Sequence, residues 1–314
     1  MAQNPDSVIQ TQNLTKKYGG VVALQDLNLD VQRGEVFGYL GPNGAGKTTT
    51  IRTLLDLIRP TSGTATILGL DSRRDSVKIH AQVGFLPSEM TLYHNMTGRQ
   101  YVRFIERARG VACMREAEQL AERLDYDLNR SLEGLSTGNR RKMGLITALM
   151  HRPPLLILDE PTSGLDPLMQ QTFNEYIRQI QAEGRTVFLS SHNLPEVEAL
   201  CDRVGILREG KLVAVETIQA LASLRFRWFV LEFEQPIEIE QFRALSNVTA
   251  LETNPENTRL RIQVSGAIDP VIKLAAHYPL RDLSVEHPSL EETFLEFYGS
   301  NHKHDPQTQK EVRA

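Results

Sequence analysis

The hydrophobic positions of this chain follow two successive regimes. EVFGYLG (35–41) is a short apolar run, and after a glycine-rich turn KTTTIRTLLDLI places Ile51, Leu54, Leu55 and Ile58 at helical spacing. The order predicts strand, loop, helix. LLILDE (155–160) and TVFLSS (186–191) read as two more buried strands flanking a helical stretch near 169–182. VGFLPSEM (83–90) reads as a strand that stops at Pro87, just before the polar Ser88 and Glu89. Short apolar strands alternating with helices imply an α/β fold built on a parallel sheet covered on both faces.

Residues 93–150 are rich in Arg, Glu, Ala and Leu, with few β-branched side chains, and predict a helical insertion. After about Glu216 the regime changes. FVLEFE, a short polar helix around 237–245, VTALET, a turn at 254–257, RLRIQV, PVIKLAAHY, LSVEH and a last helix, PSLEETFLEFY, follow in turn. That order, βαββαβ plus a helix, predicts a small α+β domain resembling a ferredoxin-like unit. NHKHDPQTQKEVRA is polar and predicts a disordered tail. The expected organisation is a main α/β domain over 1–216 with its helical subdomain at about 90–150, an α+β domain over 217–300, and a tail over 301–314.

Composition narrows the function. The 314 residues, 40% hydrophobic and 24% charged, allow one large domain with an appendage or two modest ones. The net charge of −4 leaves no excess of cations for a phosphate backbone, so nucleic acid is not an expected partner. Cys113 and Cys201 show no ligand or redox spacing, which fits a reduced cytosolic setting. No run of about 18 apolar residues occurs, and MAQNPDSVIQ has neither a cationic start nor an apolar core. The expectation is a chain that neither crosses a membrane nor is exported.

The chemistry begins at GPNGAGKT (41–48), which satisfies G-x-x-x-x-G-K-[ST] between a strand and a helix. Gly41, Gly44 and Gly46 let the backbone curl around Pro42, Asn43 and Ala45. N–H groups from Gly44 to Thr49 then converge on phosphate oxygens at a helix start. Lys47 would reach the β- and γ-phosphates of a nucleotide, and Thr48 would offer its hydroxyl to Mg²⁺. A turn serving only to redirect the chain needs neither side chain at those offsets.

LLILDEPTSGLD drives Asp159 and Glu160 to the carboxyl end of a buried strand, the edge where open α/β sheets bind ligands. Asp159 suits Mg²⁺, and Glu160 suits a general base for an attacking water. His192, just after TVFLSS, emerges at the same edge and is a candidate contact to the γ-phosphate.

LSTGN (135–139) opens the helical run NRRKMGLITALM and resembles the LSGGQ-like signature of the ATP-binding subunits of ABC transporters. Tyr18 in KKYGG, the SGLD after the second strand and His192 match the same family, so the resemblance covers about residues 8–216. It implies an ABC-type P-loop ATPase domain with a mixed sheet core, ATP and Mg²⁺ as ligands, and Tyr18 stacked on adenine. It also implies that Ser136, Thr137, Gly138 and Asn139 bind the γ-phosphate held by a second subunit, while 163–166, with Asp166, communicate across the dimer. Ser136 and Gly138 at a helix start present a hydroxyl and free N–H groups, which suits an anion.

In place of the Gln that the family often has after Leu-Pro, this chain has Ser88, a candidate metal-site residue. Its hydroxyl is short, so contact with Mg²⁺ needs a shifted loop or a bridging water, whereas Glu89 is long enough to substitute. One cassette and no membrane span imply a second copy or a homologous ATPase subunit, and separate ABC membrane-spanning subunits holding the chain on the cytoplasmic face. LSTGNRRKMGL and PSLEETFLEFYG resemble the ABC-2-type exporters. For the region after Glu216, regulation or dimer support is the expectation, from its position alone.

The rival reading is a soluble ABC ATPase acting on nucleic acid or a protein complex; a small-molecule kinase leaves LSTGN and SGLD unexplained. Arg140, Arg141 and Lys142 oppose the helix dipole by about 0.3–1 kcal/mol each, and are either solvated or near a polyanion. Residues 91–104 are either core or a docking site for a membrane subunit's coupling helix. His94 and His151 carry no pattern, and His302 and His304 read as solvated tail.

Overall fold

A computed structural model describes residues 6–93, 95–223, 227–264 and 266–286. His94, the expected last helix and the expected tail with His302 and His304 lie outside them. The chain divides into two compact units, Met1–Ile218 and Gln219–Ala314.

The first unit contains, in order, β1 (Ser7–Tyr18), β2 (Val21–Leu27), β3 (Asp30–Gln32), β4 (Val36–Leu40), α1 (Lys47–Leu54), β5 (Ser62–Ile67), β6 (Leu70–Asp71), α2 (Ser76–Gln82) and β7 (Val83–Leu86). Then come α3 (Gly98–Arg109), α4 (Met114–Arg123), α5 (Thr137–Leu149), β8 (Leu155–Asp159), α6 (Pro167–Ala182), β9 (Thr186–Ser191), α7 (Leu194–Leu200), β10 (Arg203–Arg208) and β11 (Lys211–Thr217). A short helix, α8 (Ile218–Ser223), starts at the unit's last residue.

The six-stranded sheet runs β11-β10-β4-β9-β8-β7. Its pairs are parallel except β10 with β11, an antiparallel hairpin that the apolar runs did not disclose. Every residue of β4, β8 and β9 is buried, which is why they read as unbroken apolar runs. A second, antiparallel sheet, β2-β1-β5-β6 with β3 on β1, was not anticipated from the sequence. The sheets share one core with α1: Ile9, Leu27, Val31 and Ile67 pack in the same cluster as Ile51, Leu54, Phe37, Tyr39 and Phe188. Phe37 and Phe188 stack with centroids 5.9 Å apart.

α3, α4 and α5 form the helical segment. Thr97 caps α3 with a complete capping box, its hydroxyl taking the Gln100 N–H while the Gln100 amide oxygen takes the Thr97 N–H. Within 91–104 the two sequence readings divide by residue: Tyr101 is buried, while Tyr93 and Phe104 form an aromatic cluster with it and remain exposed.

The second unit is β12 (Arg227–Phe233), α9 (Ile239–Arg243), β13 (Val248–Thr253), β14 (Arg259–Val264), α10 (Asp269–Ala275) and β15 (Leu280–Glu286). Its antiparallel sheet, ordered β13-β14-β12-β15, follows the βαββαβ reading. α9, Ile239–Arg243, is shorter than the polar helix read over 237–245, and the Ile237 N–H before it bonds the Asn257 carbonyl. Phe229, Leu231 and Phe233 alternate into a core with Phe242, Leu260, Ile262 and Val271. Among the described residues no helix is long and apolar enough to cross a membrane.

Close helix-to-sheet packing leaves no room at Gly84 in β7, where a Cβ would lie 2.1 Å from the Ala148 carbonyl oxygen and 2.7 Å from Leu156 Cδ2. At Gly20 nothing lies within 4 Å. Gly84→Ala should therefore cost about 1–3 kcal/mol or more in a denaturant titration, since backbone cannot step aside. Gly20→Ala should leave the midpoint unchanged; equal effects would contradict the packing described.

Candidate functional site

The carboxyl ends of β4, β9, β8 and β7 lie side by side, and each delivers a polar segment to one edge. From β4 comes the phosphate loop. Gly46, the N-cap of α1, has φ +110, and a Cβ there would meet the Ala23 carbonyl oxygen at 2.7 Å, so the turn requires glycine on both counts. Gly44 also has positive φ, Gly41 and Ala45 are buried, and Pro42, Asn43 and Gly44 are exposed. Thr49 lies half-buried in the first turn of α1.

Lys47 is only 6% exposed. Its Nζ donates to the carbonyls of Gly41 at 2.6 Å and Pro42 at 3.2 Å, and pairs with Glu160 Oε1 at 3.2 Å. Thr48 Oγ1 donates to Asp159 Oδ2 at 2.8 Å. Asp159 is 1% exposed, and its Oδ1 accepts the Ser190 hydroxyl at 2.5 Å.

Glu160 departs from the strand into the left-handed region at φ 52, a conformation that costs a non-glycine residue about 1–3 kcal/mol. Its N–H donates to Ser190 Oγ at 3.0 Å, which holds the turn. The turn aims the carboxylate along the edge, with Oε1 toward Lys47 and Oε2 2.7 Å from His192 Nδ1. Glu160 thus bridges a buried ammonium and an exposed imidazole. Asp159 and Glu160, adjacent in sequence, face different partners.

From β7 comes the loop with Ser88, half-buried, and Glu89, exposed. Their position is set by Arg141 of α5, which is buried. Its Nη1 donates to the Pro87 carbonyl at 2.8 Å, Nη2 to Ser88 at 2.9 Å and Nε to Ser163 at 3.3 Å. Burial lowers the guanidinium's pKa, with the charges of Asp159 and Glu160 opposing. Both sequence readings of the cations are therefore corrected at Arg141, which is neither solvated nor turned to a polyanion but consumed by three backbone carbonyls. Arg140 donates to the Leu135 carbonyl and Lys142 to that of Asp125.

Ser136 is the N-cap of α5, its hydroxyl accepting the Asn139 N–H at 3.3 Å. Ser136 and Thr137 are exposed, and Gly138 and Asn139 half-buried. A Cβ on Gly138 would lie 2.9 Å from the Gly164 carbonyl oxygen, so 136–139 and the loop after β8 pack together within one chain. Asp166 caps α6 through the Met169 N–H at 3.0 Å, with Pro167 following, so that carboxylate has a structural task of its own. Tyr18 ends β1 at the β1–β2 turn, 48% exposed, with Lys16 Nζ 4.7 Å from its ring centroid.

Sequence reasoning passed over Ser190 and Ser191, and named Arg141 only in roles that its three carbonyl contacts replace. The serines close a fully buried strand, and buried hydroxyls require partners; that was the available signal. Arg141 had none, since its acceptors lie far away in sequence.

A buried lysine and a strand-end aspartate meeting a strand–loop–helix define the class, a phosphate-loop α/β ATPase. Comparison with known proteins gives the family. A match to the ABC transporter family covers residues 24–163. The linearmycin resistance ATP-binding protein LnrL of Bacillus subtilis is 32% identical over 306 residues, spanning 93% of this chain and 98% of that protein. The daunorubicin/doxorubicin resistance ATP-binding protein DrrA of Streptomyces peucetius is 31% identical over 314 residues, spanning 95% and 94%. Among solved structures, an ATP-binding subunit of an ABC transporter matches at TM-score 0.64 and 30% identity, over 68% of this chain and 91% of that one. A dimeric bacterial ABC transporter cassette matches at 0.62 and 22% identity, over 67% and 98%, a likeness of fold alone. The chain belongs to the ABC transporter family as one of its ATP-binding, ATP-hydrolysing proteins.

Arg141→Met keeps the side-chain stem and removes its donors. Unfolding free energy should fall by about 1.5–3 kcal/mol, with faster hydrogen exchange in 88–90. Unchanged stability and exchange would show that Arg141 does not hold this loop.

Proposed function

We propose that this chain hydrolyses ATP to power export through separate membrane-spanning ABC subunits, working as a pair of ATPase subunits. The observation that carries the reading is the continuous line Lys47–Glu160–His192 beside Thr48–Asp159 at one sheet edge. Export as the direction is supported by the resistance and bacitracin-transport names of the relatives.

In this reading the phosphate-loop N–H groups and Lys47 hold the β- and γ-phosphates, Tyr18 packs on the base, and Glu160 takes a proton from the attacking water. His192, hydrogen-bonded to Glu160, keeps that carboxylate aimed along the edge and contacts the γ-phosphate. Residues 136–139 of a second copy close over the nucleotide, with Asp166 and its loop beside the dimer contact. Substrate closure of this kind excludes water and couples chemistry to movement.

The residues fit Mg²⁺. Thr48 and Asp159 supply hard oxygen donors side by side, with Thr48 Oγ1 2.8 Å from Asp159 Oδ2. That suits an ion held by one carboxylate and a hydroxyl together with substrate phosphates and water. When bound, Mg²⁺ would neutralise charge on the phosphates. Ser88 or Glu89 would complete its surroundings from the β7 side. In the same reading the chain is held on the cytoplasmic face of the membrane through its partner. The second unit is assigned to dimer support or regulation.

Glu160→Gln should retain ATP binding, nearly abolish phosphate release and accumulate a dimer on size exclusion; wild-type turnover would rule out Glu160 as the base. Lys47→Ala should weaken nucleotide binding itself in a fluorescence titration, and equal affinity would remove the phosphate-loop assignment. Ser88→Ala should lower ATPase activity less than Glu89→Ala does; the reverse ranking would identify the hydroxyl as the ligand. Co-expression with the membrane subunit should bring the chain to the membrane fraction, and a chain that stays soluble regardless would favour the soluble-ATPase alternative.

A further inference from the structure

Glu196, on α7 four residues after His192, belongs to none of the motifs above, yet it ties two of them together. Its Oε1 accepts the Thr162 hydroxyl at 2.6 Å, and its Oε2 accepts the Ser191 hydroxyl at 2.5 Å. Thr162 lies two residues beyond Glu160, and Ser191 immediately precedes His192. The Asn193 N–H occupies a lone pair of Ser191 Oγ at 2.9 Å, which leaves the hydroxyl proton for Glu196. Glu160 and His192 close the circuit at 2.7 Å.

The carboxylate that holds this circuit is itself anchored. The next residue, Val197, is buried against β4, where a Cβ on Gly38 would lie 2.6 Å from Val197 Cγ1. α7 therefore cannot shift toward the sheet, and Glu196 measures the two strand ends against a fixed seat. Burial pushes its pKa above the ordinary carboxylate range, while the hydroxyls of Ser191 and Thr162 work against that. The two hydroxyls engage both oxygens of the carboxyl group at 2.6 and 2.5 Å, and hydrogen bonds from hydroxyls to a carboxylate are short and strong.

We propose that Glu196 is a positioning residue for ATP hydrolysis, clamping Thr162 and Ser191 so that the Glu160 carboxylate stays registered on the His192 imidazole. The proposal rests on the assignment of Glu160 and His192 to the hydrolytic step. Glu196 acts through them, so its loss should lower turnover and spare nucleotide affinity.

The test uses the full chain, with ATPase kinetics and fluorescent-nucleotide titration on Glu196→Ala, Glu196→Gln, Thr162→Val and the double variant Thr162→Val/Glu196→Ala. Glu160→Gln is run in parallel. Glu196→Ala should lower kcat about ten- to a hundredfold, as misplacement of a reacting group does, with KM and ATP affinity unchanged. Glu196→Gln keeps the shape and one acceptor oxygen, and its amide nitrogen cannot accept, so its loss should be smaller and its melting temperature close to wild type. The double variant should turn over no more slowly than Glu196→Ala, because both substitutions break one clamp.

Wild-type kcat in both Glu196 variants alongside an inactive Glu160→Gln would overturn the clamp and leave the hydrolytic assignment standing. So would losses shared equally by kcat and affinity, or single-variant losses that multiply in the double variant. An active Glu160→Gln would instead remove the assignment on which the clamp rests.

Discussion

The ammonium of Lys47 is the charge around which this molecule is arranged. Removing an ion from water costs several kcal/mol unless charge and hydrogen bonds replace the solvent. Here the replacement comes from two carbonyls of its own loop and from Glu160, which follows β8, two strands over from β4 in the sheet. The phosphate loop can therefore curl as it does only if β8 ends beside it, and β8 ends there because β9 separates it from β4 at the spacing of a parallel sheet. Ser190 supplies the remaining links, with its hydroxyl donating to Asp159 and accepting from the Glu160 backbone. Packing of Phe37, Tyr39 and Phe188 at the buried centre keeps the strand ends in register.

How much of this could be read from the chain depended on how local each signal was. The strands 35–41, 155–160 and 186–191 were legible because burial on both faces leaves no polar position in mid-strand. The antiparallel sheet was not. β1 carries Gln10, Gln12, Asn13, Lys16 and Lys17, its register shifts against β2, β3 and β5 alike, and Asn13 adopts positive φ, so no clean alternation survives. The βαββαβ order of the second unit was legible since its strands alternate, while the bond from Ile237 to Asn257 just before α9 is one that no local rule anticipates.

The site divides in the same way. Lys47, Thr48, Asp159 and Glu160 were legible from strand–loop–helix context, and the structure brings them to one edge. The residues that hold them were not. Arg141 sat in a helix start where three cations read as solvated or facing a polyanion, and its carbonyl acceptors lie on β7's loop and in the loop after β8. Glu196 sat on a short helix with no motif. Motifs report groups that meet the ligand, whereas the groups that aim them are chosen by tertiary distance.

The arrangement leaves 136–139 at an exposed helix start, packed on the loop after β8 and not among the partners of Lys47 or Thr48. Completion of the nucleotide site by a second copy is tested most directly by cross-linking. Cys113 and Cys201 are both buried, so cysteines placed by Asn43→Cys and Ser136→Cys in one full-length chain would be the reactive pair. With ATP present and hydrolysis blocked, a short bifunctional thiol reagent should join two protomers into a covalent dimer, and without ATP it should not. Cross-links that form regardless of ATP, or only within one chain, would contradict a site shared between two copies.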